Sequence, residues 1–350
     1  MNFETIRSLR GIAALLVIVF HFQEAWVLRT IGGEYWNNGV AGVDIFFVIS
    51  GFVMVVSSQK LLDKRDGYLI FMKRRALRIV PLYWIFTVLK IVTVLLVASA
   101  SLHTIISPKS VACSFFFLPF NHINEPILSV GWTLVHEMSF YALFSLALWT
   151  GLGLGRVVLP LLSIMVVIGV LRQPHFLEWP SVAAYCQPII AEFGFGLIIG
   201  LAVVRGVSVN RYVALAILAI SWVLLLTDRA GGDTYRSIRI GLPAAGIVLG
   251  FVLLEQYLTR PIPKLITLLG DASYSLYLTH TFVVPAVTII ALHFLGNNPT
   301  SEYTALLAGS VISLGVGVAT YLYLENPLLR RLNSLFRRVD TRPPVKGGIA

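Results

Sequence analysis

The sequence predicts an all-α polytopic membrane protein with about ten transmembrane helices and both termini in the cytoplasm. Of its 350 residues, 57% are hydrophobic and only 13% are charged, and the mean hydropathy is +0.82. An average soluble domain has about 25% charged residues. Apolar stretches of about 17 to 25 residues can cross a bilayer as helices. Ten stretches of roughly this kind follow one another, of which the fifth is the shortest: Leu9–Leu28, Val40–Ser57, Leu82–Ser101, Ser129–Thr150, Val157–Leu171, Gln187–Val204, Tyr212–Thr227, Ile240–Leu258, Ala272–His293 and Tyr303–Leu324.

The loop charges predict the orientation of these spans. An even number of crossings places both termini on one side of the membrane. A cytoplasmic N-terminus then assigns 20 of the 27 Lys and Arg residues to inner segments and six to outer loops. Cytoplasmic loops of membrane proteins have such an excess of Lys and Arg. Membrane orientation therefore accounts for most of the net charge of +10, and no nucleic-acid partner is expected.

The sequence predicts one integral-membrane domain over residues 1–336, followed by a basic, disordered cytoplasmic tail over residues 337–350. The first apolar segment has no small-residue cleavage site after it, so we expect it to remain in the membrane. Cys113 and Cys186 both fall on the outer side in this topology and could form a disulfide in an oxidising compartment. No metal site is expected.

Arg10 and His21 are an ionisable pair in the first apolar segment, where such residues are costly and often functional. They are 11 positions apart, which is about three helical turns, so both side chains project from nearly the same face. The same spacing separates them by roughly 16 Å along the helix axis. One helix face therefore offers a cation near the inner membrane surface and an imidazole deep inside the membrane.

Five ionisable residues inside other predicted spans are further candidates for the site. At about 1.5 Å per residue, His136 and Glu137 of the fourth span come to the same depth as His21, about 12 Å below the outer surface. His136 and Glu137 are adjacent and point about 100° apart, so we expect only Glu137 to face the site and to pair with His21. Three more lie nearer the outside or the middle, each with a structural alternative such as a buried ion pair or an interhelical hydrogen bond: Asp44, Glu192 and His280.

A basic cluster leads into the third span. Arg75 and Arg78 are three residues apart on one helix face, at the membrane level of Arg10. Most basic runs beside a span only fix topology, which remains the alternative for Lys73 and Arg74. Because guanidinium groups bind phosphate in a bidentate manner, converging arginines at a cytoplasmic opening indicate a polyphosphate ligand.

Nearly the whole chain, from Arg7 to about Leu332, resembles acyltransferase family 3, the membrane proteins that O-acylate bacterial surface polysaccharides, and especially its exopolysaccharide- and O-antigen-modifying members. The resemblance rests on the joint order of several motifs: Leu9-Arg10-Gly11 with His21, Gly42 to Phe52, Arg75 to Trp84, Ser129 to Glu137, Ser273 to His280, and Glu325-Asn326-Pro327.

This resemblance implies roles for individual residues. Arg10 and His21 match the family's essential Arg-x10-His pair, and Arg75 with Arg78 match its Arg-x-x-Arg element. Ser50 lies in its Phe-x-x-Ser-Gly pattern, and related members have acidic residues linked to activity at the positions of Asp44 and Glu137. We accordingly expect His21, Glu137 and Asp44 to be catalytic and Arg10, Arg75 and Arg78 to bind the donor. Four residues are expected to contact the acceptor: Ser50, His136, Glu192 and His280.

The implied reaction moves an acetyl or other short acyl group from cytoplasmic acyl-CoA, acetyl-CoA first among the donors, to a sugar hydroxyl at the outer face of the bacterial inner membrane. The acceptor is a polysaccharide or a lipid-linked oligosaccharide, and polysaccharide-assembly proteins are possible partners. His21 would act as general base or carry the acyl group covalently. A secondary transporter or lipid-linked sugar flippase is the main alternative, because membrane helices with polar residues near the midplane also suit transport.

Overall fold

The computed structural model describes residues 3–30, 36–97, 106–119, 125–172, 181–228 and 235–340. Within these ranges the chain forms thirteen α-helices and no strand. The helices are α1 (Glu4–Thr30), α2 (Ala41–Ser58), α3 (Gly67–Leu96), α4 (Pro108–Phe116), α5 (Gly131–Thr150), α6 (Leu154–Arg172), α7 (Ala191–Val204), α8 (Arg211–Thr227), α9 (Leu242–Leu254), α10 (Lys264–Asp271), α11 (Ser273–Leu295), α12 (Pro299–Thr320) and α13 (Asn326–Asp340). Short π-helical turns precede α9 and α13.

Each of the ten predicted spans falls on one of these helices, which confirms an all-helical, polytopic membrane protein. By length and apolar composition, seven helical segments can cross a bilayer: Glu4–Thr30, Asn37–Leu61, Gly67–Leu96, Leu154–Arg172, Ser237–Tyr257, Ser273–Leu295 and Pro299–Leu335. The other three predicted spans coincide with α5 and with two shorter apolar segments, Pro188–Val204 and Arg211–Thr227. The number of crossings and the side of the termini stay predictions.

Two helices extend beyond the bounds predicted from hydropathy. The third span was placed from Leu82, where the charges end, but α3 already begins at Gly67 and includes the basic cluster. Arg, Lys, Ala and Leu are good helix formers, so the helix continues past the apolar stretch. The tail expected from residue 337 is still helical to Asp340, because α13 runs on from the last span; residues 341–350 lie outside the described part. Cys113 and Cys186 are both free.

The outer faces of several helices suit a lipid environment. Large apolar side chains are exposed along α3, α6, α8 and α12, including Leu96, Val167, Ile220 and Val311. In a bilayer such faces contact lipid tails, which are as apolar as the side chains themselves.

Helix α1 lies inside the bundle and contacts α2, α9, α10, α11 and α12. Its first turn is held by Glu255, whose carboxylate accepts hydrogen bonds from the backbone N–H groups of Glu4 and Thr5, both at 2.8 Å. Arg7 donates to Asp271 at the end of α10. These contacts satisfy N–H groups that have no partner within the helix and fix the end of α1 that carries Arg10.

Helices α2, α5 and α7 are joined by small residues and stacked rings. A Cβ atom added at Gly196 would lie 1.9 Å from the carbonyl oxygen of Val48, so α2 and α7 can approach this closely only with glycine there. The ring of Phe193 stacks on Phe47 and Phe140, with centroids 4.6 and 4.4 Å away. This packing turns the middle of α2 towards the first half of α5.

Candidate active site

Arg10 and His21 lie on one uninterrupted helix, as their spacing predicts. They line two different cavities. We call the one lined by Arg10 the arginine cavity and the one lined by His21 the histidine cavity. Their volumes are about 100 and about 460 Å³, respectively.

Helices α1, α2, α3, α5 and α11 build the arginine cavity. All three arginines predicted to bind the donor line this cavity, together with two other predicted site residues: Arg10, Arg75, Arg78, Ser50 and Glu137. Three tyrosines also line it: Tyr141, Tyr274 and Tyr277. The three arginines come from two helices that are distant in sequence, and each is partly accessible to solvent. Guanidinium groups arranged in this way can bind phosphate oxygens.

Local contacts orient Arg75, and nearby charges surround Arg10. Arg75 donates a hydrogen bond to Ser57 Oγ at 2.8 Å, and its guanidinium lies 5.5 Å from the ring centroid of Phe71 and 5.7 Å from that of Tyr141. The charged neighbours of Arg10 include Arg78, Glu325 and Glu137. The cavity therefore combines three positive side chains with nearby carboxylates that offset part of their repulsion.

Glu137 belongs to the arginine cavity, and the expected pairing of Glu137 with His21 is wrong. Its Oε1 accepts a hydrogen bond from Ser50 Oγ at 3.0 Å and another from the Tyr141 hydroxyl. The estimate of equal depth rested on distance along the helix axis, which does not fix where a long side chain ends. Of the two adjacent residues, Glu137 lines this cavity and His136 does not.

The carboxylate that contacts His21 is Glu24, which the sequence analysis did not single out. Nδ1 of His21 lies 2.8 Å from Oε2 of Glu24, one turn further along α1. An ionised carboxylate only accepts hydrogen bonds, so this contact places the proton on Nδ1 and leaves a lone pair on Nε2. The three-residue spacing of a histidine and a glutamate on one helix face was the available signal.

His280 is the second imidazole of the histidine cavity. Its ring stacks on the ring of His21, with centroids 5.1 Å apart and an interplanar angle of 27°. Nδ1 of His280 lies 3.1 Å from the carbonyl oxygen of Leu276, which places the proton on Nδ1. Within the described part of the chain, its buried Nε2 has no hydrogen-bond partner. Trp132, Lys90 and Glu125 also line this cavity.

Asp44 and Glu192 line neither cavity. Asp44 is fully buried and accepts two hydrogen bonds from Arg236, at 2.7 and 3.1 Å. Glu192 is also fully buried and lies beside the same ion pair, but its two oxygens have no hydrogen-bond partner among the described residues. The placement of Asp44 therefore supports its structural alternative, a buried ion pair. The sequence alone did not predict that Asp44 pairs with Arg236, which lies on a distant segment of the chain.

His136 is buried on the other side of α5. Its Nδ1 lies 2.8 Å from the carbonyl oxygen of Trp132, one turn earlier, and its ring contacts the Trp132 indole edge to face. It lines neither of the two cavities, so its placement does not support the expected contact with the acceptor.

The fold and the site define a polytopic helical membrane protein with an arginine-lined cavity and a histidine-lined cavity at two levels of one helix. Comparison with known sequences identifies the class. The chain belongs to acyltransferase family 3, because the family's acyltransferase domain matches residues 3–322.

Individual relatives agree with this assignment. The chain is 34% identical to the exopolysaccharide production protein ExoZ of Rhizobium meliloti (strain 1021) over 304 residues, which is 85% of this chain and 92% of ExoZ. It is 26% identical to the O-acetyltransferase OatA of Staphylococcus aureus over 153 residues, 40% of this chain and 24% of OatA. The putative peptidoglycan O-acetyltransferase YrhL of Bacillus subtilis (strain 168) is 29% identical over 143 residues, 39% of this chain and 19% of YrhL. No solved structure matches.

Proposed function

We propose that this protein is an O-acyltransferase of the bacterial inner membrane. It would transfer an acetyl or other short acyl group from cytoplasmic acyl-CoA to a hydroxyl of an exported polysaccharide or of its lipid-linked precursor. The observation that carries this proposal is the placement of three arginines and a carboxylate-paired histidine in two cavities that follow one another along α1. The names of the relatives support a polysaccharide acceptor, since ExoZ is an exopolysaccharide production protein and OatA is an O-acetyltransferase.

The donor would bind with its phosphates at the arginine cavity, which we assign to the cytoplasmic side. Arg10, Arg75 and Arg78 supply the guanidinium groups, and bidentate ionic hydrogen bonds to phosphate are stronger than neutral ones. The pantetheine arm would then extend along α1 towards His21. Eleven residues separate Arg10 from His21, or roughly 16 Å along the helix axis.

The acceptor would bind in the larger histidine cavity, where Trp132 offers an aromatic face and His280 lies beside His21. His21 Nε2 would accept the proton of the sugar hydroxyl while the hydroxyl oxygen attacks the thioester carbonyl. The tetrahedral intermediate collapses as its carbon–sulfur bond breaks, and the imidazolium returns the proton to the CoA thiolate. Glu24 holds Nδ1–H and stabilises the imidazolium, as the third member of a catalytic triad does. Covalent transfer through an acyl-histidine would use the same Nε2.

The flippase alternative has no comparable support. ExoZ, OatA and YrhL have names of exopolysaccharide production or O-acetylation, and none of them is named a transporter.

The decisive experiment gives purified, detergent-solubilised protein radiolabelled acetyl-CoA with and without added saccharide. Label on the saccharide and release of free CoA are measured together. We expect His21→Ala to abolish both while the protein still purifies as a folded monodisperse species. His293→Ala is the matched control, because His293 is exposed and lines neither cavity. No turnover by the wild-type protein with acetyl-CoA or longer acyl donors would contradict the proposal, as would full activity of His21→Ala.

A further inference from the structure

The arginine cavity and the histidine cavity share two lining residues, Val43 of α2 and Tyr277 of α11. Every other residue that lines either cavity belongs to one of them alone. These two side chains therefore lie at the boundary between the two cavities. Tyr277 is the larger of the two, and its side chain forms the partition.

Tyr277 is held at this boundary by hydrogen bonds at its hydroxyl. The hydroxyl lies 2.8 Å from Thr133 Oγ1 and 3.2 Å from the carbonyl oxygen of Val130. Thr133 lines the arginine cavity and Val130 lines the histidine cavity, so the phenol is fixed to the start of α5 where the two cavities meet. Buried hydrogen bonds of this kind cost free energy to break without replacement.

Ring contacts fix Tyr277 from both sides. Its ring meets Phe46 edge to face on the side of the arginine cavity, with centroids 6.3 Å apart. On the other side it lies 5.8 Å from the ring of His280, which in turn stacks on His21 at 5.1 Å. The partition is therefore packed directly against the histidine pair and cannot move without disturbing its own ring contacts.

We propose that Tyr277 determines which acyl donors the enzyme accepts, by admitting slim acyl groups and excluding branched or aromatic ones. This inference rests on the proposed function, in which the donor enters through the arginine cavity. The acyl group is the leading end of acyl-CoA, so it passes Tyr277 before the thioester can reach His21. An acetyl group ends in one methyl, whereas an isobutyryl or benzoyl group must displace the phenol and break its hydrogen bonds.

The size of the effect follows from the steric nature of the filter. One methylene too many in a tight apolar passage changes specificity by about 10- to 200-fold. Removing the phenol should therefore raise the ratio of kcat/KM for isobutyryl-CoA to that for acetyl-CoA by at least about tenfold. Tyr277 acts here by shape and position and is not a catalytic residue, so the selectivity ratio should move more than the acetyl-CoA rate.

The test measures kcat/KM for acetyl-, isobutyryl- and benzoyl-CoA with one saccharide acceptor. Three variants change the partition to different degrees. Tyr277→Ala removes the ring, Tyr277→Phe removes only the hydroxyl, and Thr133→Val removes one hydrogen-bond partner of that hydroxyl at nearly constant shape. We expect the largest rise in ratio for Tyr277→Ala and smaller rises for the other two. Tyr303→Ala is the control, because it removes a tyrosine that is 63% exposed on α12, and its ratio should equal that of the wild type.

Two outcomes would overturn the inference, and they are distinguishable. If the wild-type protein turns over acetyl-CoA and the folded variants keep its selectivity ratios, Tyr277 is not the filter and the proposed function stands. If the wild-type protein turns over no acyl-CoA, the proposed function is overturned together with the inference. Should Tyr277→Ala fail to fold, the ratios of Tyr277→Phe and Thr133→Val decide.

Discussion

Glu24→Gln is the substitution that most directly tests the assignment of the catalytic histidine. The amide keeps the size of the side chain but removes the charge that stabilises His21 when Nε2 takes up a proton. It can also turn its NH2 group towards Nδ1, which would favour the wrong tautomer. We therefore expect a loss of kcat with little change in the KM for acyl-CoA, because the arginine cavity is untouched.

The magnitude follows from the geometry of the contact. A hydrogen bond to a charged partner contributes about 1.5–3 kcal/mol, and about 1.36 kcal/mol corresponds to tenfold in rate. This gives a loss of roughly 10- to 150-fold for a fully desolvated pair. The side chains of His21 and Glu24 are 28% and 35% exposed, so water replaces part of the lost interaction. We expect a decrease of about 10- to 50-fold, well short of the complete loss in His21→Ala.

The assay is steady-state acyl transfer with saturating saccharide and varied acetyl-CoA. Glu302→Gln is a matched control, because Glu302 lies in the first turn of α12 and lines neither cavity. Wild-type kcat in Glu24→Gln would refute the role of the His21–Glu24 pair. A change confined to KM would refute it equally, since it would place Glu24 in donor binding.

Three further predictions follow from other contacts. Arg75→Ala and Arg78→Ala should each raise the KM for acyl-CoA by roughly tenfold or more, because an ionic hydrogen bond to phosphate contributes about 1.5–3 kcal/mol. Initial rates at varied acyl-CoA concentration measure this KM. An unchanged KM would remove that arginine from the donor site. Asp44→Asn should destabilise the protein by about 1.5–3 kcal/mol, because it weakens the charge-assisted hydrogen bonds that Arg236 donates. Glu192→Gln should be milder, because it leaves the ion pair of Asp44 and Arg236 in place. Thermal unfolding in detergent compares the two, and equal losses would contradict the distinction. Gly196→Ala should lower the yield of folded protein, because its Cβ would lie 1.9 Å from the carbonyl oxygen of Val48; Gly194→Ala is the control, since the nearest atom to its Cβ would be a Leu162 methyl at 3.5 Å.

The sequence predicted those features of the site that depend on spacing along one helix. Arg10 and His21 lie on one continuous helix and line successive cavities, and Arg75 and Arg78 both line the cavity of Arg10. Helical periodicity fixes such relations within a segment, and hydropathy locates the segments themselves. Helix α3 begins at Gly67, before the predicted span, because hydropathy locates the apolar stretch and the helix also includes the basic cluster.

Relations between helices could not be predicted in the same way. Depth along the membrane axis placed His21 and Glu137 at one level, but it does not determine how each helix is rotated or which neighbour it faces. Asp44 shows the same limit, because its partner Arg236 is 192 residues away along the chain. The residues that were reassigned are therefore those whose roles depend on packing between helices.

The division of carboxylates between the two cavities leads to a last prediction, for Glu137→Gln. Gln keeps an oxygen that can accept the hydrogen bonds of Ser50 and Tyr141, so the packing of the arginine cavity should persist. The substitution removes one negative charge beside the arginines, and therefore one source of repulsion for a bound phosphate. If the relief is about 1 kcal/mol, the KM for acyl-CoA should fall by roughly fivefold while kcat stays near the wild-type value.

A pairing of Glu137 with His21 would give the opposite result, a large loss of kcat at unchanged KM. Measuring both constants for Glu137→Gln and Glu24→Gln in parallel therefore separates the two arrangements. In the arrangement that the structure shows, the two substitutions act on different constants, because one carboxylate faces the proposed donor phosphates and the other holds the proposed catalytic imidazole.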